Sequence, residues 1–196
     1  MRSEEQRRAV FLDRDGTINQ EVGYLHRVED FAFIPGAPEA IRLLRGAGFL
    51  VVVVTNQAGI ARGLYDEAAL ERLHEHLAVE LAAAGTGIDA SYFCPHHPRH
   101  GVGPYQVDCA CRKPLPGMLL QAAADLGIAL ADSWLVGDKL SDIQAGLAAG
   151  CRPVLVRTGY GTATEPSLPA GVTACDDLLA AARLILAGEG REPRSV

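Results

Sequence analysis

The chain has 196 residues, 48% hydrophobic and 21% charged, with 21 Gly and 11 Pro. That length and apolar fraction suit one domain over 1–196 with its core over about 9–187, and they exclude a disordered chain. A net charge of −6 and a pI near 5.5 argue against nucleic acid or anionic membrane as partners, and no apolar stretch approaches the roughly 20 residues of a membrane span.

Residues 1–7 read as loosely ordered, with charges up to Arg8 and then an apolar run too short for a secretion signal. Five Cys without such a signal point to reduced thiols, so a cytoplasmic location is expected. Residues 9–13 form a buried strand leading to a tight turn at Gly16. Asp13 and Asp15 lie two apart, so in extended backbone both carboxylates face one space while Arg14 faces away. Gly16 permits the turn, and Thr17 can hydrogen-bond across it. A loop through Glu21, Val22, Gly23 and Tyr24 follows, with His26 near it in an open role.

A helix over 38–47 turns Ile41, Leu43 and Leu44 inward. Residues 49–55 carry a Val run typical of a parallel strand covered on both faces, and they end in Thr55-Asn56-Gln57. Over 66–84, Leu70, Leu73, Leu77 and Leu81 form a helical stripe with Asp66 as N-cap. His74 and His76 on this helix read as surface or boundary residues. Strands follow at 91–94, 133–138 and 153–156, and helices at 117–126, 141–149 and 176–186. Residues 159–171 read as a Gly/Pro-rich loop, Cys151 and Cys175 as buried packing, and the tail past about 187 as loosely ordered.

Strands alternating with helices make this an α/β chain with a doubly wound parallel sheet. Such sheets place their sites at the carboxyl ends of strands. Asp13, Thr55, Cys94 and Asp138 all fall there, which predicts one shared site.

Two carboxylates on one side suit a nucleophile and a proton donor. Attack of a carboxylate on a phosphate dianion is repelled unless cations offset the charge. Mg²⁺ held by Asp13 and Asp138, a fixed charge on Lys113 and the hydroxyl of Thr55 would supply that offset. Arg112, a bidentate donor beside Lys113, suits a remote phosphate or carboxyl group. Cys94-Pro-His96-His97 and Cys109-Ala-Cys111 offer soft ligands for Zn²⁺. Four such ligands leave no open position, so the zinc reads as structural, while spacing alone leaves His96, His97 and His100 in competition.

Asp13-Arg-Asp-Gly-Thr17, Thr55-Asn56, Arg112-Lys113-Pro114 and Gly137-Asp138-Lys139-Leu-Ser-Asp142 resemble, in order, the four motifs of the haloacid dehalogenase superfamily of phosphatases. The resemblance implies a Rossmann-like fold and an aspartyl-phosphate on Asp13. It also implies Asp15 as general acid and then base, with Thr55 and Lys113 on the transferring phosphoryl group. Mg²⁺ would be held by Asp13, Asp138 and Asp15, the last through its backbone carbonyl.

The Cys/His loop joined to Arg112-Lys113-Pro114 narrows the likeness. Over about residues 10–160 the chain is similar to the D-glycero-D-manno-heptose 1,7-bisphosphate 7-phosphatases and to the related histidinol-phosphate phosphatases. Gly23-Tyr24, the run from Thr55 to Gly63 and Gly137-Asp138-Lys139 look like the heptose branch, and Glu21 stands where that branch usually carries Asp. The resemblance implies substrate contacts from Glu21, Val22, Gly23, Tyr24, Asn56, Gln57, Ala58, Arg112 and Lys139. It matches Cys94, His96, Cys109 and Cys111 to the zinc ligands. Removal of the C7 phosphate of a small sugar bisphosphate, in nucleotide-heptose synthesis toward lipopolysaccharide, is the expected reaction, and histidinol phosphate is the alternative substrate. The chain is expected to act as a monomer whose site is covered by loops rather than by a cap domain.

Overall fold

The structure, a computed structural model, describes residues 7–188. One parallel sheet contains β1 (Ala9–Leu12), β2 (Leu50–Asn56), β3 (Ala90–Cys94), β4 (Trp134–Gly137), β5 (Arg152–Val156) and β6 (Thr173–Cys175). Their spatial order is β3-β2-β1-β4-β5-β6, and every neighbouring pair is parallel. Parallel pairing requires crossovers, supplied here by α1 (Ala37–Gly46), α2 (Ala58–Ala61), α3 (Glu67–Ala83), α4 (Gly117–Leu126), α5 (Leu140–Ala149) and α6 (Gly161–Thr164), while α7 (Leu178–Gly188) follows the last strand.

Successive residues of β1 feed opposite cores, as the pleat dictates. Val10 and Leu12 pack with Ile41, Leu44, Leu178 and Ile185 of α1 and α7. Ala9 and Phe11 pack with Met118, Leu119 and Ala145 of α4 and α5. Because both faces are covered, no polar alternation is needed, and Val51, Val52, Val53 and Val54 of β2 are all fully buried. Each such Val contributes about 1.5–3 kcal/mol.

The order of strands places the site. From β1 the chain steps outward to β2 and β3, then returns to the other side of β1 to form β4. The crevice at the carboxyl ends of β1 and β4 is therefore the point where the winding reverses, the place such sheets bind ligands.

The doubly wound sheet agrees with the sequence expectation, but several details differ. β6 lies past a segment read as loop, its three residues too few to show a pattern. The 159–171 segment also contains α6 and a 3-10 turn at Glu165–Ser167. A further short helix, α2, follows Gln57 and was not expected. Residues 1–6 and 189–196, expected to be loosely ordered, lie outside the described residues. Arg7, which shared that expectation, is tied down: its N–H reaches the Gly127 carbonyl at 3.0 Å and its Nε the Leu126 carbonyl at 2.9 Å. Among the described residues no helix is long and apolar enough to cross a membrane.

On α3, Asp66 caps the helix by accepting the Ala69 N–H at 2.8 Å, and Leu70, Leu73, Leu77 and Leu81 face the core. His74 sits deeper than a surface residue. Its Nε2 is buried with no hydrogen-bond partner among the described residues, and burial, aided by Arg14, pushes its pKa down to about 4. The unfolded chain takes up this proton near pH 6.5 while the folded protein refuses it until about pH 4. Stability is therefore full above pH 6.5, and about 3 kcal/mol of it is lost as pH falls toward 4. His74→Leu should remove that share of the acid sensitivity when urea unfolding is followed at both ends of the range. Equal acid sensitivity in the two proteins would contradict it.

Candidate active site

Asp13 leaves β1 with its N–H still paired to the Val136 carbonyl of β4 at 2.9 Å. The chain then curls, with the N–H groups of Ile18 and Asn19 donating to the Arg14 carbonyl at 2.8 and 3.2 Å. Gly16 makes the curl possible: its φ is 84°, and a Cβ there would lie 2.2 Å from Asp138 Oδ2. Gly159, at the end of β5, faces the same oxygen, and a Cβ there would also come within 2.2 Å. Thr158 latches the two loops together, its hydroxyl donating to the Gly16 carbonyl at 2.6 Å. A fifth strand end thus joins the four expected ones.

At the centre, Lys113 is 2% exposed and lies between two buried carboxylates. Its Nζ is 3.0 Å from Asp13 Oδ1, 2.6 Å from Asp142 Oδ1 and 2.7 Å from the Val54 carbonyl. Burial alone would discharge this lysine, but Asp13 and Asp142 outweigh it and hold its pKa above the ordinary range. Asp142 was part of the quoted motif without an assigned role. Gly137 leaves room for it, since a Cβ there would sit 2.4 Å from its Oδ2. That oxygen accepts the Lys139 N–H at 3.0 Å and so caps α5.

Asp138 is fully buried. Its Oδ2 accepts the Tyr160 N–H at 2.8 Å, while its Oδ1 has no hydrogen-bond partner among the described residues. Burial and the nearby Asp13 charge push its pKa up to about 7. One oxygen from each of Asp13, Asp138 and Asp142 lies within 4.8 Å of the others. Lys139 Nζ also lies 3.8 Å from Asp138 Oδ1, so two lysines face three carboxylates, and the donors are hard oxygens of the kind Mg²⁺ takes. Because Asp142 is already bound by Lys113 and the α5 cap, Asp13 and Asp138 are the pair that could hold the ion.

Asp15 stands beside this cluster rather than in it. Arg14, expected to face away, instead bends its guanidinium back: Nε and Nη2 reach Asp15 Oδ1 at 3.2 and 3.0 Å, and Nη2 reaches Oδ2 at 2.9 Å. The pleat argument fails because β1 has ended at Leu12 and a long side chain can return from the interior. Asn19 Nδ2 donates to Asp15 Oδ1 at 3.0 Å and Gln57 Nε2 to Oδ2 at 3.1 Å. Burial would raise the Asp15 carboxyl, but Arg14 and these donors outweigh it and hold the pKa below the usual range. The Thr17 hydroxyl, expected to bond across the turn, is buried with no hydrogen-bond partner among the described residues; the Thr17 N–H donates to the Arg14 carbonyl instead, at 3.3 Å.

The second motif mostly holds the frame. Thr55 is 1% exposed, and its Oγ1 accepts Gln57 Nε2 at 2.8 Å. Asn56 clamps the Lys113 backbone, donating to its carbonyl at 2.9 Å and accepting its N–H at 3.1 Å. Gln57, expected to touch substrate, is 2% exposed and bonded to Asp15, Thr55 and Tyr65. Ala58 opens α2, half-buried.

The rim carries the remaining expected contacts. Val22, Gly23 and Tyr24 are exposed. Glu21 Oε1 accepts the Gly23 N–H at 2.8 Å, and its Oε2 takes Lys139 Nζ at 3.1 Å. Lys139 also lies 4.9 Å from the centre of the Tyr160 ring. Arg112 is half-buried, with Nη1 donating to the His96 carbonyl at 3.1 Å. A groove of about 510 Å³ opens at this edge, walled by Glu21, Pro35, Thr158 and Tyr160. Asn19, Tyr65, Asp142 and the Thr158–Tyr160 turn were missing from the expected set.

Beside Arg112, three thiols and one imidazole converge. The Sγ atoms of Cys94, Cys109 and Cys111 lie 3.2 to 3.5 Å apart, too far for a disulfide. His96 Nδ1 is 3.5 Å from Cys111 Sγ and 3.8 Å from Cys94 Sγ. A tetrahedron of Zn–S bonds has edges of about 3.8 Å, so these donors could close around one zinc ion. His97 and His100 are outside the group; their rings pack on each other at 4.8 Å.

Comparison with known proteins decides among phosphoryl-transfer families. The family model described as HAD-hydrolase-like matches residues 110–181. The chain is 51% identical over 158 residues to a D-glycero-beta-D-manno-heptose-1,7-bisphosphate 7-phosphatase of Yersinia pestis, covering 80% of this chain and 84% of that protein. It belongs to this family of heptose-bisphosphate 7-phosphatases. The family member of Escherichia coli K12 is 49% identical over 172 residues, 87% of each chain. The solved D,D-heptose 1,7-bisphosphate phosphatase of B. bronchiseptica, complexed with magnesium and phosphate, superposes with a TM-score of 0.83 at 41% identity. That match covers 92% of this chain and 99% of the other. As in a haloacid dehalogenase-like phosphatase without a large cap, no second domain sits over the strand ends among the described residues.

For this family member, the buried Lys113–Asp142 pair makes a direct forecast. Asp142→Asn keeps the shape and leaves Lys113 paired with Asp13 at 3.0 Å and with the Val54 carbonyl at 2.7 Å, so the ammonium is not stranded, while burial and the Asp13 charge already push the Asp142 carboxyl pKa up. Urea unfolding at pH 7 should show a loss of about 1–2 kcal/mol, and a loss of about 3 kcal/mol or more would contradict it.

Proposed function

We propose that the chain is a single-domain, magnesium-dependent phosphomonoesterase that removes the C7 phosphate of D-glycero-β-D-manno-heptose 1,7-bisphosphate through an aspartyl-phosphate on Asp13. The observation that carries the chemistry is the juxtaposition of Asp13, Lys113 and the half-unpartnered Asp138 at the switch point of the sheet. The substrate, including its β anomer, follows the names of relatives about half identical over most of the chain.

Asp13 Oδ1 receives both the Arg14 N–H at 2.8 Å and Lys113 Nζ, which orients the carboxylate and leaves Oδ2 for attack on phosphorus. Mg²⁺, held by Asp13, Asp138 and the Asp15 carbonyl, would neutralise charge on the phosphoryl oxygens. Lys113 would supply fixed positive charge beside those oxygens, and Thr55 a hydroxyl donor. Asp15 rests ionised under the Arg14 fork, the form needed to take a proton from water in the second half-reaction. To serve the first half as an acid it must gain a proton, which the incoming phosphate dianion favours.

Arg112 and Lys139 flank the opening, suited to the distal phosphate that protrudes from a site without a cap. Val22, Gly23 and Tyr24 form the exposed lip over the sugar. Zn²⁺ on Cys94, His96, Cys109 and Cys111 would fix the loop that carries Arg112 and Lys113. A monomer is the proposed working unit. Thiols kept as ligands fit the reducing cytoplasm.

Steady-state turnover of the α- and β-bisphosphates and of histidinol phosphate, with Mg²⁺ present, tests the reading. The β-bisphosphate should be preferred by about tenfold or more and lose one phosphate, and Asp13→Asn should cut its kcat by at least about 10³. Faster cleavage of histidinol phosphate would overturn the substrate, and an active Asp13→Asn would overturn the nucleophile.

A further inference from the structure

Tyr65 lies outside every motif, yet it is the outer end of a hydrogen-bond chain that reaches the reacting groups. Its hydroxyl donates to Gln57 Oε1 at 2.5 Å. The same amide uses its two N–H bonds on Asp15 Oδ2, at 3.1 Å, and Thr55 Oγ1, at 2.8 Å. A carboxylate only accepts, so the Nε2 side of the amide must face Asp15, and the Oε1 side is then left for a donor. Tyr65 is that donor. An oxygen that accepts from Gln57 also directs its own proton elsewhere, so the Thr55 hydroxyl is left to donate into the site.

The ring that carries the hydroxyl is fixed on two sides. Gly59 gives it room, since a Cβ at that position would come 2.1 Å from Tyr65 Cε1. The imidazole of His26 stacks on it at 5.1 Å with the planes 5° apart. His26 in turn bonds through Nδ1 to the Tyr24 carbonyl at 2.8 Å, which joins the chain to the exposed lip.

We propose that Tyr65 is a positioning residue: its hydroxyl sets the Gln57 amide so that Asp15 and the Thr55 hydroxyl are aimed at the transferring phosphoryl group. This rests on the phosphomonoesterase reading above. Proton transfer by a positioned group supplies about 10²–10⁴ in rate, and loosening its support loses part of that factor. Tyr65→Phe keeps the ring over Gly59 and against His26, so it removes the hydrogen bond without opening a cavity.

The test compares the full-length wild type, Tyr65→Phe, Gln57→Ala and the double variant, each with Mg²⁺, on the heptose bisphosphate and on 4-nitrophenyl phosphate. Tyr65→Phe should lower kcat on the heptose bisphosphate by about tenfold while KM stays within about twofold. The double variant should be no slower than Gln57→Ala alone, because Tyr65 acts only through Gln57. The loss should be smaller on the aryl ester, whose phenolate leaves without a proton from Asp15. An unchanged kcat in Tyr65→Phe, or losses that multiply in the double variant, would overturn the proposal. If wild type ignores the heptose bisphosphate but cleaves the aryl ester, the substrate reading fails. Non-additivity on the aryl ester then still decides the role of Tyr65.

Discussion

The site depends on one buried cation. Lys113 is wrapped by Asp13, Asp142 and the Val54 carbonyl, and without its charge two desolvated carboxylates would face each other at the switch point of the sheet. Burial of an ion costs several kcal/mol unless it is paired and hydrogen-bonded. Here the pairing is supplied by three strand ends at once: β1 brings Asp13, β2 brings Val54 and Asn56, and β4 leads into Asp142. The architecture of the sheet and the ionisation of the site are therefore the same constraint.

What surrounds Lys113 follows from that arrangement. Asn56 fixes its backbone, so the ammonium cannot drift from Asp13. Gly16 and Gly159 let two loops close on Asp138, and Gly137 lets Asp142 tuck beneath β4. Larger residues at any of these positions would strike a carboxylate oxygen. Even so, three carboxylates outnumber the two lysines beside them, and Asp138 Oδ1, which makes no hydrogen bond among the described residues, marks where further positive charge fits. Members of the family are named for a doubly phosphorylated sugar, and Arg112 and Lys139 put two more cations at the mouth of the site.

Local patterns were legible wherever a short stretch decides its own structure. The Val run of β2, the leucine stripe of α3 and the Asp66 cap each depend on neighbours in sequence. The positions of Asp13, Thr55 and Asp138 at strand ends, and of Lys113 in the site, could be read from pattern plus resemblance. The directions of long side chains could not. Arg14 folds back on Asp15, and Gln57 turns inward, because tertiary contacts set their ends. The Thr158 latch onto Gly16 and the buried Nε2 of His74 are likewise invisible until distant segments meet. β6 was missed for a simpler reason, since three residues carry no periodicity.

The charge on Lys113 can be measured directly. In the folded protein at low ionic strength, lysine side-chain NMR across an alkaline titration should find the Lys113 resonance still in its charged position past pH 10.5, the ordinary lysine value. A Lys113 signal that titrates below that value, as an unpaired buried lysine would, contradicts the central role of the ion pair.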